Sequence, residues 1–179
     1  MRRVFALAAL VSAAALAAER PVVTRPEMAT VEQSIDNAVR ALNPDDPYDL
    51  LGFARGVYLP GYGVVLTAEL NLVITPVSPF TPRPAGAQLT QLRLKKIQRL
   101  VVIRELMRHA LVSAAATLDP VPSNERIVVG LTLFYRNFEE REGLPGQIVM
   151  QAPKQVLLDF KANRIGKAQL DAAIEVQEL

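Results

Sequence analysis

Residues 64–74 read VVLTAELNLVI, and the pattern of this stretch decides the fold class. Its even-numbered positions are all apolar, whereas the odd-numbered positions include the polar residues Thr67, Glu69 and Asn71. Strict alternation predicts a β-strand with one buried face, and antiparallel sheets commonly leave their other face to water. A shorter strand is predicted just before it, and the glycine-rich PGYG at 60–63 would join the two as a hairpin.

Helical patterns and a second pair of strands flank this hairpin. Thr30 and Gln33 fit a capping box at the start of the first helix. The predicted helices lie at 31–42, 88–118, 153–162 and 167–178, and the predicted strands at 54–59, 64–74, 127–135 and 147–151. This order predicts an α+β fold of helix, β-hairpin, long helix, β-hairpin and C-terminal helices. The simplest packing is a four-stranded antiparallel sheet on the long helix.

The first eighteen residues, MRRVFALAALVSAAALAA, have the three parts of a secretory signal peptide. Arg2 and Arg3 precede an apolar run that is shorter than the roughly 20 residues of a membrane span. Small side chains at Ala15 and Ala17 predict cleavage after Ala17 or Ala18, and therefore an exported protein with no transmembrane segment in the mature chain. The Ala-rich leader and the lack of cysteine and of N-x-S/T acceptors favour a bacterial protein that is periplasmic or secreted. The predicted organisation is a signal peptide at 1–17, an extended lead-in at 18–29 and a single α+β domain at 30–179.

Charge and cysteine content exclude several classes of function. The chain has 20 Lys and Arg against 18 Asp and Glu, a net charge of +2, and Arg2 and Arg3 of the leader account for all of it. A mature chain without net positive charge lacks the attraction that brings proteins to nucleic-acid phosphates, so we expect no nucleic-acid partner. The absence of cysteine excludes disulfides, thiolate metal sites and a cysteine nucleophile.

The sequence predicts no metal site and no cofactor. Its single histidine, His109, follows Glu105 by one helical turn, and such a pair is commonly an exposed helix contact. Asp45, Asp46 and Asp49 lie close together, but their spacing is not that of a calcium-binding loop and suits a turn equally well.

Glu69 is the candidate catalytic residue, because it lies on the mixed face of the clearest strand. Hydrolysis by carboxylates needs a second acid, and the sequence does not locate one. The serines lack the motifs that accompany serine nucleophiles.

Candidate binding residues are Tyr58 and Tyr62 in the turn YLPGYG at 58–63 and Phe80 in the proline-rich segment at 75–86. Tyrosine rings offer a partner both apolar area and a hydroxyl group. The alternative for the turn is an ordinary hairpin, in which the glycines supply unusual dihedral angles and the rings cover the sheet end. The alternative for the proline-rich segment is a rigid linker.

The strings YLPGYGVVLTAELNL, NERIVVGLTLFY and GQIVMQAPKQVLLDF resemble segments of predicted exported bacterial proteins of unknown function. The resemblance extends over most of the chain after the leader. It implies export and a single α+β domain, and it implies no catalytic residue, ligand or cofactor.

The leading functional hypothesis is a non-catalytic envelope or secreted protein that binds a protein or another envelope component. Its presenting surfaces would be the tyrosine turn and the proline-rich segment. One alternative is an exported hydrolase, which requires a pocket holding Glu69 and a second acid. The other is a small-ligand carrier, which requires an apolar cavity between the long helix and the sheet. The oligomeric state and the strand order are left open.

Overall fold

The computed structural model describes residues 23–75, 80 and 84–179. The predicted signal peptide, residues 18–22 of the lead-in, and residues 76–79 and 81–83 of the proline-rich segment lie outside this part of the chain. Within it the elements are, in chain order, α1 (Arg25–Ala41), β1 (Asp49–Leu59), β2 (Gly63–Asn71), α2 (Ala87–Thr117), β3 (Arg126–Leu133), β4 (Gln147–Pro153), α3 (Lys154–Lys161), α4 (Lys167–Ala173) and β5 (Glu175–Glu178).

The alternating stretch at 64–74 supplies a central strand of the sheet. Val64, Leu66 and Leu70 of β2 are completely buried, whereas Thr67 and Glu69 are exposed. The first hairpin is confirmed, since β1 and β2 are antiparallel neighbours joined by a tight turn. The α+β class is confirmed as well.

The expectation of a four-stranded antiparallel sheet is wrong in two respects. The sheet has five strands in the order β1-β2-β3-β4-β5, and β2 and β3 run parallel. The parallel pair follows from α2, because a helix of 31 residues spans about 46 Å and returns the chain from the far end of β2 to the starting end of β3. The remaining neighbours are antiparallel.

The fifth strand occupies residues that were predicted to be helical. After α4 ends at Ala173, β5 pairs with β4 and places Val176 opposite Met150. Pairing continues to the last residue, where the Leu179 N–H donates to the Gln147 carbonyl at 3.0 Å. Four residues are too few to show a strand period, and the partner strand is distant in sequence, so local pattern does not reveal this element.

The first helix begins earlier than predicted, so that residues 25–29 of the expected lead-in are helical. Its capping box joins Thr24 and Glu27, whose carboxylate accepts from the Thr24 N–H at 2.7 Å. Pro26 lies in the first turn of the helix, where a main-chain N–H has no hydrogen-bond acceptor within the helix, so the lack of an N–H in proline costs nothing there. Thr30, the predicted cap, lies inside the helix and donates its hydroxyl to the Pro26 carbonyl at 3.0 Å.

The helices and the sheet form two layers with the core between them. α1 packs along β1, and α2 packs over β3 and β4. Buried Leu100, Ile103, Met107 and Leu111 of α2 face the sheet. Within the described residues, no helix is long and apolar enough to cross a membrane.

The opposite side of the sheet is covered by no helix or strand of the described chain, and we name it the outer face. Side chains alternate across a strand, so the residues that point away from the helices share this face. Its exposed members are Arg55, Val57, Leu59, Thr67, Glu69 and Thr132. Leu51 and Phe53 are exposed as well, but they lie at two register shifts of β1, where alternation does not assign a face.

Candidate functional site

The tyrosine turn joins β1 to β2 and is tied to the chain just before β3. The Tyr58 hydroxyl donates to Glu125 Oε1 at 3.2 Å, and the Gly61 N–H donates to the same oxygen at 2.8 Å. Burial and this carboxylate raise the pKa of the Tyr58 hydroxyl. Tyr62 is 45% exposed and donates its hydroxyl to Gln151 Oε1 at 3.2 Å. Both hydroxyls are therefore used within the fold, and binding through the two rings remains a prediction.

Gly63 allows this turn to approach β3 closely. Its φ is +137°, and a Cβ atom there would lie 1.9 Å from the Arg126 carbonyl oxygen. The Arg126 N–H donates to the Tyr62 carbonyl at 2.8 Å. The glycine thus has the hairpin role that the alternative interpretation of this turn assigned to it.

The remaining candidate residues do not join the tyrosine turn. Glu69 lies six residues along β2 from Gly63, about 20 Å away. Its cross-strand neighbours on the outer face are Gly52 and Thr132, so neither supplies the second acid that a hydrolase would need. Phe80, which is 94% exposed, lies in the segment between β2 and α2.

A stripe of exposed apolar side chains runs along β1, from the register shifts at Leu51 and Phe53 to Val57 and Leu59 on the outer face. Phe53 is 61% exposed and Val57 50%, while Leu51 and Leu59 are 43% exposed each. The guanidinium carbons of Arg40, on α1, and Arg55 lie 5.7 and 5.8 Å from the centre of the Phe53 ring. Single exposed apolar residues are ordinary on protein surfaces, but a contiguous group of them indicates a binding surface.

The free edge of β1 is covered by two carboxylates of α1. Glu32 Oε1 accepts from the Gly56 N–H at 2.8 Å, and Asp36 Oδ1 accepts from the Ala54 N–H at 2.8 Å. Arg25 donates two hydrogen bonds of 2.7 Å to Glu32 and holds the pKa of that carboxyl below its usual value. Since free strand edges recruit other strands, these carboxylates oppose strand addition at β1.

Two buried cations stabilise the main chain. Lys154 Nζ donates to three carbonyls just after the end of α2, at 2.6–3.2 Å. Arg99 donates to the Leu72 carbonyl at 2.5 Å, pairs with the Asp46 carboxylate at 2.5 Å and stacks on the Tyr48 ring at 4.6 Å. These contacts give both residues a structural role.

A third buried cation, Lys96, has side-chain partners instead. Its Nζ donates to Glu139 Oε2 at 2.5 Å and to Asn71 Oδ1 at 3.3 Å, and it lies 4.8 Å from the centre of the Tyr135 ring. Lys96 is completely buried and the Glu139 side chain is 3% exposed. Burial lowers the pKa of Lys96, and the Glu139 carboxylate opposes that shift. Burial also raises the pKa of Tyr135 to about 12.

The topology of the sheet brings this cluster together. Asn71 ends β2, while Tyr135 and Glu139 follow β3, and parallel strands end at the same edge of a sheet. Sequence reasoning missed the cluster, although one signal was present. Lys96 lies four residues from both Leu92 and Leu100, on the arc of α2 that faces the core.

A surface groove of about 220 Å³ lies between α1 and α2, with Ser34, His109 and Ser113 among its lining residues. It opens between the helices rather than between the long helix and the sheet, where the carrier hypothesis requires a cavity. Glu105, the predicted partner of His109, forms an ion pair with Arg108 at 2.9 Å.

No group of three or more His, Asp or Glu side chains in the described chain is placed to hold a metal ion. Comparison with protein-family models, with curated proteins and with solved structures finds no match.

Proposed function

We propose that this chain is an exported, non-catalytic interaction domain that binds protein through the outer face of its sheet. The observation that carries the proposal is the apolar stripe of β1, in which Phe53 and Val57 keep 61% and 50% of their surface exposed. A partner that removes such surface from water gains about 25 cal/mol for each Å² of apolar area. Export is the part of the proposal that rests on the leader at residues 1–17.

The charges of the outer face favour a protein over a membrane or a nucleic acid. Arg55 and Glu69 both lie on this face, so its charges are of both signs. Anionic lipids and nucleic-acid phosphates require a surplus of positive charge, which the face does not offer. Glu69 has no ion pair or hydrogen-bond partner among the described residues. Its carboxylate can therefore accept a hydrogen bond from a bound protein.

A second copy of the chain is the partner that we assign to this face. In a two-fold symmetric dimer the same patch of each copy meets that of the other. Arg55 of the first copy can then form an ion pair with Glu69 of the second, and Glu69 of the first with Arg55 of the second. Five strands about 4.8 Å apart and about seven residues long present roughly 550 Å² in projection. A standard interface takes about 800 Å² from each partner, so we expect a weak dimer with a Kd on the order of micromolar.

Sedimentation equilibrium over a wide concentration range tests the proposal. We expect reversible dimers that are lost when Phe53→Ser and Val57→Ser are combined. The matched control is Val101→Ser, because Val101 is 64% exposed but lies on α2, away from the outer face. A chain that stays monomeric at all concentrations, or a dimer that survives the paired substitution in a folded protein, refutes the proposal.

A further inference from the structure

The buried cluster at the ends of β2 and β3 holds an amine, a carboxamide and a carboxyl group in contact. The amine belongs to Lys96, the carboxamide to Asn71 and the carboxyl group to Glu139. We propose that Lys96 Nζ and Asn71 Cγ join in an intramolecular amide bond, with Glu139 carrying the protons. The bond would tie α2 covalently to the end of β2, and it does not depend on the outer face or on its partner.

The amine already lies within reach of the carbon that it would attack. Nζ is 3.3 Å from Asn71 Oδ1, and Cγ is one covalent bond beyond that oxygen, which places Nζ about 3.5–4.5 Å from Cγ. An approach of at most about 1 Å brings the two atoms to the 3–3.5 Å at which held groups gain a large advantage over the same groups free in solution. The Val73 N–H also donates to Oδ1 at 3.3 Å, so a main-chain donor is aimed at the oxygen on which negative charge would develop.

Glu139 is placed to make the amine nucleophilic. Its Oε2 is 2.5 Å from Nζ, so a single proton transfer converts the ammonium and carboxylate into an amine and a carboxylic acid. Burial lowers the pKa of Lys96, which favours the neutral amine. The Tyr135 ring, 4.8 Å from Nζ, covers the amine with an apolar surface.

The reaction balances without an oxidant or a co-reactant. The lone pair of Nζ attacks Asn71 Cγ, and the electrons of the carbon–oxygen double bond move to Oδ1. Glu139 then relays one proton from Nζ to Nδ2, the Cγ–Nδ2 bond breaks, and ammonia leaves as the carbonyl re-forms. The products are a secondary amide and a protonated Glu139, so both buried charges are removed.

The other buried lysine shows why the arrangement at Lys96 is unusual. Lys154 is 4% exposed, yet its Nζ contacts only main-chain carbonyl oxygens, whose amide nitrogens are part of the chain. Of these two buried lysines, only Lys96 contacts a side-chain carboxamide, which can release ammonia. In a chain without cysteine, such a bond closes the loop from residue 71 to 96, and cross-links of this kind restrict the unfolded state.

Mass spectrometry of the purified full chain tests the inference. We expect the intact mass to fall short of the sequence mass by one ammonia molecule. A tryptic digest should contain the peptide 56–93, which carries Asn71, joined to the peptide that carries Lys96. Lys96→Met, Asn71→Ala and Glu139→Gln should each restore the full mass and abolish the joined peptides.

Two further variants keep the test decisive. Lys95→Met is the matched control, because the Lys95 side chain is 43% exposed, and it should retain the joined peptides. Asn71→Asp should lose water instead of ammonia, since the leaving group is then a hydroxyl. A folded wild-type chain at its full mass, with separate peptides, overturns the inference even if every variant fails to fold. Joined peptides that persist in folded Glu139→Gln overturn the role of Glu139.

Discussion

Replacing Lys154 by methionine isolates the contribution of one buried ammonium group to the stability of the fold. Lys154 Nζ donates to the carbonyls of Leu118, Asp119 and Val121 at 2.7, 3.2 and 2.6 Å. Leu118 is the C-cap of α2, and Asp119 and Val121 belong to the turn that follows it. Lys154→Met keeps the length and most of the volume of the side chain, so the change removes the donor without opening a cavity.

The expected loss follows from two opposing effects. The Leu118 carbonyl keeps the Val121 N–H as a donor at 3.1 Å, so the substitution leaves two carbonyls, those of Asp119 and Val121, without one. A buried carbonyl without a donor costs about 1–3 kcal/mol, so the two together cost about 2–6 kcal/mol. The variant also escapes the desolvation of a buried ammonium, which costs several kcal/mol and which lowers the pKa of Lys154. We therefore expect Lys154→Met to lower the free energy of unfolding by about 1–3 kcal/mol.

Urea unfolding followed by far-UV circular dichroism measures this difference directly. The matched control is Lys161→Met at the exposed last residue of the same helix, α3, which should stay within about 0.5 kcal/mol of the wild type. If Lys154→Met loses less than about 1 kcal/mol, the three contacts do not stabilise the end of α2 as described.

Three other substitutions test other parts of the fold. Gly61 has a φ of +83° and open space around it, so Gly61→Ala should lower the free energy of unfolding by about 1–2 kcal/mol. Gly63→Ala should lower it at least twice as much, because the new Cβ would meet the main chain of β3. Equal urea midpoints for the two variants would contradict this. The pKa of Tyr135 is raised from 10.0 to about 12, so the unfolded chain releases the phenol proton first and the free energy of unfolding falls as pH rises through this range. Tyr135→Phe should remove this fall, and a variant with the same alkaline unfolding profile as the wild type would contradict the prediction. Asp36→Ala leaves the Ala54 N–H without its acceptor and should lower the free energy of unfolding, measured with heat or urea, by about 2 kcal/mol. Asp36→Asn keeps an acceptor oxygen, so its loss should be clearly smaller.

Much of the secondary structure could be predicted because burial imposes a period on the sequence. The alternation at 64–74 marked β2, and the apolar spacing at 88–118 marked α2 almost to the residue. Elements without a period of their own were missed. The strand at Glu175–Glu178 forms only because β4 offers it hydrogen bonds, and the first turn of α1 was hidden by Pro26, which a helix tolerates at that place.

The candidate site shows a different limit. The hairpin was correctly predicted, but Tyr58 belongs to β1 and only Tyr62 to the turn, and their hydroxyl partners, Glu125 and Gln151, lie far along the chain. The stripe around Phe53 was not predicted, because an exposed apolar position and a buried one look the same in a short strand. Such residues can be recognised only when the fold shows which face of the sheet is covered.

By itself the sequence determined the α+β class, the β1–β2 hairpin and the long helix, because these depend on residues close together in the chain. It also predicted the leader and the neutral charge of the remaining chain. Only the tertiary structure decided that β2 and β3 run parallel and that their ends meet at one edge of the sheet. That meeting places Asn71, Lys96 and Glu139 in contact, since contacts between residues distant in sequence depend on how the elements pack and leave no local pattern.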